Sequence, residues 1–120
     1  PPLEDVETKT VRDITDLIKN TALDSAQELA GITKTMRDTA QREIFDQCYR
    51  LLQQSGFLDI DGDAITWHKK SFIDSEYEQL RGEFTYIKNK VIREYLQRPP
   101  SPSRPGDGND GGDDDDDKDI

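Results

Sequence analysis

The twelve residues from Gly56 to Trp67, GFLDIDGDAITW, constrain this chain most, because they admit two incompatible folds, a calcium loop or a β-hairpin. An EF-hand loop takes oxygen ligands at alternate positions, a glycine at its sixth for a sharp bend, and a twelfth-position glutamate that binds through both oxygens. Counting from Asp59 puts Ala64 sixth and Lys70 twelfth, so neither requirement is met. A hairpin turning on Asp61-Gly62 fits, since Asp-Gly readily adopts the positive φ angles of a type I′ turn. That register opposes Ile60 to Asp63 and Leu58 to Ile65, and directly opposed residues share a sheet face. Leu58, Ile60, Ile65 and Trp67 then form an apolar face, with Phe57, Asp59, Ala64 and Thr66 on the other. The hairpin is the expected structure. Weak calcium binding by Asp59, Asp61 and Asp63 is the lesser alternative.

The rest of the chain is lean for a globule: 120 residues, 32% hydrophobic and 35% charged, enough for one domain with part of the chain left unfolded. The unfolded part is expected at residues 99–120, where Pro, Gly and Asp dominate and only Ile120 could bury anything. In the last twenty residues eight Asp against Arg104 and Lys118 leave −6, so only −4 of the total −10 belongs to residues 1–100. Net negative charge argues against generic attraction to nucleic acid or anionic membranes, although a local basic patch could still meet phosphates. A single cysteine forbids an internal disulfide, and no apolar run is long enough for a signal peptide or membrane span. An intracellular setting, nuclear in preference to cytoplasmic, is therefore expected. The start at Pro1-Pro2-Leu3 and the acidic end suggest the C-terminal piece of a longer protein, while Asp114 to Lys118 also spell an enteropeptidase site, which leaves a vector-derived end as the lesser alternative.

Residues 1–4 read as an extended lead-in. Val6, Val11, Ile14, Leu17 and Ile18 then recur at helical spacing and predict a first helix over residues 5–20. Asn20 and Thr21 interrupt it, and Leu23, Ala26, Leu29, Ala30 and Ile32 predict a short second helix, with Ser25 and Glu28 at capping-box spacing, Thr21 or Asp24 as alternative caps, and Gly31 ending or kinking it. A longer helix opening at Thr33 or Thr35 carries Met36, Ala40, Ile44, Phe45, Cys48, Tyr49, Leu51 and Leu52 on one face and stops at Gly56. After the hairpin, Ser71 or Ser75 can cap a last helix. Tyr77, Leu80, Phe84, Ile87 and Val91 step along it by 3 and 4, which suits packing inside a bundle better than a coiled coil, because Gly82 interrupts. The expected fold is mainly α (α+β), a domain over residues 5–98 of about four helices with one hairpin at residues 57–60 and 63–67.

A helix ending in Leu51-Leu52-Gln53-Gln54-Ser55-Gly56, followed at once by Phe57-Leu58 and a strand-turn-strand, resembles the end of a winged-helix domain. There the third helix leads through glycine into a two-stranded wing. The resemblance spans residues 35–70 and implies either duplex-DNA reading or protein docking, since the fold serves both. The surface then arbitrates. Arg37, Arg42 and Arg50 on the would-be recognition helix are offset by Asp38, Glu43 and Asp46, and acidic groups facing phosphates would cost affinity. A mixed-sign face is ordinary at a protein interface.

Catalytic signatures are absent. His68 is the lone histidine and Cys48 the lone cysteine, so no zinc site or Cys-His pair with recognisable spacing can be assembled, and Cys48 reads as a small core residue. No cofactor is implied, and Trp67, Tyr77, Phe84 and Tyr86 read as core or interface aromatics. His68-Lys69-Lys70 is the densest basic cluster of the folded part, either a wing contact or a solvated strand exit. Ser101-Pro102-Ser103-Arg104 has the spacing favoured by proline-directed kinases, and phosphorylation at Ser101 would add negative charge to a tail that could engage a basic partner. The expected role is a non-catalytic protein-docking module contacting its partner through Arg42, Asp46, Arg50, His68, Lys69 and Lys70. Duplex-DNA binding modulated by the acidic tail is the alternative.

Overall fold

The computed structural model describes residues 7–97. The lead-in at residues 1–4, the tail at residues 99–120 and the Ser101 site lie outside the described residues. A short strand, β1 (Thr8–Thr10), leads into α1 (Val11–Glu28), α2 (Lys34–Gln54), the strands β2 (Leu58–Asp61) and β3 (Ala64–Trp67), then β4 (Ser71–Ile73) and α3 (Asp74–Gln97). The described residues thus hold three helices, not four, with two separate two-stranded antiparallel sheets, β1 with β4 and β2 with β3.

The missing helix boundary has a clear cause. α1 runs unbroken through Asn20 and Thr21 because its core stripe continues through polar positions: Ile14, Leu17, Ile18, Thr21, Ala22 and Ser25 are all buried. The Thr21 hydroxyl donates to the Leu17 carbonyl at 2.7 Å and the Ser25 hydroxyl to that of Ala22 at 2.6 Å, so neither buried oxygen is left unsatisfied. Ser25 is interior and caps nothing, while Leu23 of the expected second stripe is 58% exposed. The true start is Thr10, in a reciprocal capping box with Asp13: Thr10 N–H donates to the Asp13 carboxylate at 2.7 Å, and Asp13 N–H to the Thr10 hydroxyl at 3.3 Å. That backbone hydrogen bond from Thr10 holds the Asp13 carboxyl below its usual range.

Thr33 caps α2, its hydroxyl accepting from Met36 N–H at 3.2 Å. The helix ends as expected at Gly56, whose φ of +80° lets Phe57 N–H reach the Leu52 carbonyl and Gly56 N–H reach that of Gln53. These are the paired bonds of a Schellman motif. α3 begins without a serine cap: Ser71 lies in β4 and Ser75 inside the helix, while Glu76 reaches back to accept from Ile73 N–H at 3.0 Å.

Each helix packs on the other two, and the core comprises Ile14 and Ile18 from α1 with Leu29 just past its end, Ala40, Ile44, Cys48 and Leu52 from α2, and Leu80, Phe84, Val91 and Tyr95 from α3. Burial pushes the Cys48 thiol up to about 12, so it stays protonated and serves as core. The hairpin turns on Gly62-Asp63 and not on Asp61-Gly62, pairing Ile60 with Ile65 and Leu58 with Trp67. Gly62, at φ +63°, occupies the first central position, where both primed hairpin turns need a positive angle. This two-residue shift keeps Leu58, Ile60, Ile65 and Trp67 on one face, because a strand repeats every two residues. Phe72 is fully buried beneath it, edge-on to Phe57 at 5.6 Å and to Trp67 at 6.4 Å between ring centroids.

Candidate docking surface

The six residues predicted to meet a partner fall into two groups, and the described contacts of neither group include the other. Arg42, Asp46 and Arg50 recur every four residues on α2, which places them on one helix face, all exposed and lining one shallow groove. None makes an ion pair among the described residues. The hairpin exit differs. His68 Nε2 lies 2.8 Å from Asp59 Oδ2 across the hairpin, and Lys69 Nζ lies 3.4 Å from Glu76 Oε2 and 5.5 Å above the Phe72 ring. Backbone N–H groups of His68 and Lys69 both donate to the Phe57 carbonyl and close the hairpin's open end. Lys69 thus already has partners within the chain, and only Lys70 of that cluster is exposed without an ion pair among the described residues.

The calcium alternative is not supported by this geometry. Asp59 is engaged by His68, Asp61 pairs with Ala64, and Asp63 sits in the turn. Among the described residues no group of three or more carboxylate, histidine or cysteine side chains is placed to hold a metal ion. Nor is any helix among them long and apolar enough to cross a membrane.

The more developed concavity is a groove of about 660 Å³ between the second half of α2 and the middle of α3. Leu51, Tyr86 and Ile87 supply its apolar surface, Arg50 stands on the α2 side and Glu83 on the α3 side. Tyr86 is 65% exposed although it is the kind of residue that usually buries an aromatic ring. Gly82, one turn earlier on the same helix, also lines the groove, and a Cβ added there would meet nothing within 4 Å. Glycine inside a helix costs about 0.5–1 kcal/mol relative to alanine, so this position carries a cost that packing within the described chain does not explain. Sequence reasoning centred the surface on α2 and the hairpin and missed this groove. Its two signals were present: Tyr86 falls outside the 3-and-4 stripe of Tyr77, Leu80, Phe84, Ile87 and Val91, and Gly82 interrupts a long helix.

A second, shallower apolar recess lies between α1 and α2, where Leu23 and Phe45 are exposed beside Lys19 and Arg42. Phe45 was expected on the apolar face of α2, but that face is wider than the bundle can cover, and the ring instead packs against Tyr49 at 5.0 Å. Compared with known proteins, the chain matches no family model, no curated protein and no solved structure.

Proposed function

We propose that residues 7–97 form a non-catalytic protein-docking module whose contact surface is the α2–α3 groove together with the Arg42–Asp46–Arg50 ridge. The observation that carries this reading is the juxtaposition of exposed Tyr86, open Gly82 and unpaired Arg50 in one apolar concavity. Aromatic residues and arginine are the types that anchor interfaces, above all where a recess lets them become fully desolvated. A non-catalytic role is supported by the state of the two reactive side chains: the Cys48 thiol is buried and protonated, and His68 lies at the surface against Asp59. The winged-helix resemblance stays within this proposal. α2 passing through Gly56 into the hairpin supports it, whereas β1 pairs with β4 instead of joining the wing, and two helices precede the wing instead of three.

Arg42, Arg50 and Lys70 are exposed cations without ion pairs among the described residues, which is the observation favouring duplex DNA as a second reading. Asp46 between the two arginines and Glu83 across the groove oppose it. The deciding experiment immobilises the full chain and compares retained proteins with those on Tyr86→Ala and Arg50→Glu variants, with Asp61→Lys at the hairpin tip as control. Retention lost in the two groove variants and kept in the control supports docking. Equal retention by all four overturns it, as does salt-sensitive duplex binding that Arg42→Glu abolishes.

A further inference from the structure

Resting on that docking role, we propose that the occupant of the α2–α3 groove is a second copy of this chain, joined by a twofold antiparallel pairing of the two α3 helices. Gly82 and Tyr86 stand one turn apart on one stripe of α3, a notch and a knob on the same surface. In a twofold contact, if residue i meets residue j of the second copy, then j meets i as well. An axis passing midway between Gly82 and Tyr86 therefore seats each Tyr86 ring over the other copy's Gly82, and both contacts form at once.

The polar residues agree with the same axis. Counting outward from it in antiparallel register, Glu78 faces Lys90 of the second copy and Gln79 faces Asn89. Lys90 makes no ion pair among the described residues, and Glu78 is bonded only to Arg81 of its own helix. On the groove walls Arg50 and Glu83 carry opposite charges with no ion-pair partner among the described residues. One cation and one anion on opposite walls suit a second copy, which carries the same two charges and so can offer an anion to Arg50 and a cation to Glu83. A wholly acidic or wholly basic partner would meet one like charge on one wall. The resulting core of α2, α3 and their copies is a four-helix layer, a common way for helices to bury an unmatched face.

Sedimentation of the full chain from micromolar to near-millimolar concentration should show a reversible monomer–dimer equilibrium. Gly82→Trp fills the notch and should weaken the dimer by at least about tenfold in Kd, the equivalent of one decade in the association constant. Circular dichroism of that variant should show unchanged helix content, since a Cβ at this position meets nothing within 4 Å. Geometry is read by mixing chains carrying Gly82→Cys with chains carrying Tyr86→Cys and oxidising them, Cys48 being buried. Random pairing of an equal mixture already gives the mixed disulfide at about twice the yield of each like-with-like product, and the antiparallel register predicts an excess well beyond that ratio. A chain that remains monomeric throughout, a dimer untouched by Gly82→Trp, or a mixed disulfide no more abundant than random pairing gives each overturns the pairing. A monomeric chain that still loses its captured protein on Tyr86→Ala would overturn the second copy alone and leave the docking role standing.

Discussion

The hairpin exit and the α2–α3 groove each bring aromatic and charged side chains together, yet they differ in how far those groups are engaged within the chain. At the exit, Trp67 and Phe57 enclose Phe72, Lys69 lies over that ring and pairs with Glu76, and His68 pairs with Asp59. In the groove, Tyr86 stands exposed, Arg50 and Glu83 have no ion pair among the described residues, and Gly82 opens space that no neighbour fills. Similar composition therefore does not indicate similar function. What separates the proposed interface from the structural cluster is whether the groups are already satisfied within the chain.

Truncating one aromatic in each region should produce the largest contrast. Phe72 is fully enclosed, so Phe72→Ala removes a buried ring and leaves a cavity, costing about 3–5 kcal/mol in denaturant unfolding. Tyr86→Ala removes a ring of similar size from a mostly solvated position, and its cost should stay within about 0.5 kcal/mol. Comparable destabilisation by the two would dissolve the distinction and return Tyr86 to the core.

The two glycines sharpen the comparison by differing in sign. Gly56 holds a φ of +80° at the junction that launches the hairpin, where a side chain meets backbone strain, so Gly56→Ala should destabilise by about 1–2 kcal/mol. Gly82 sits in an ordinary helical position with open space around it, so Gly82→Ala should stabilise by about 0.5–1 kcal/mol. Thermal unfolding of both variants reads the two signs directly. A destabilising Gly82→Ala would show that the chain's own packing needs the glycine and would remove the reason for inferring a notch.

The same division explains what could be read from the sequence. The hairpin was legible because Gly56, Gly62 and the alternation from Leu58 to Trp67 are local signals, and even the two-residue error in register left its faces intact. α1 was read as two helices because Thr21 and Ser25, polar in the sequence, bury their hydroxyls by donating one turn back along the same helix. The β1–β4 ribbon escaped because each strand has three residues and its partner lies some sixty positions away, where no turn announces the pairing. The α2 ridge was legible from its four-residue spacing. The groove was not, since it depends on how α2 settles against α3, a matter of tertiary packing.

The smallest expected difference tests whether the basic exit is structural in the way its contacts imply. Lys69 and Glu76 are each about one-third exposed at 3.4 Å, so solvent screens much of their attraction. Lys69→Met keeps the aliphatic stem over Phe72 while deleting the charge, and should cost about 0.2–1 kcal/mol, diminishing as salt is added. Arg50→Met deletes a charge that has no partner among the described residues, so its unfolding free energy should move by less than about 0.5 kcal/mol at any salt concentration. The diagnostic is the salt dependence: a dependence at Lys69 and none at Arg50 assigns the first cation to the fold and leaves the second available to a partner. A salt-dependent loss at Arg50 would mean that the ridge on α2 is already neutralised within the chain, and the contrast between the two regions would fail at the residue on which the docking role most depends.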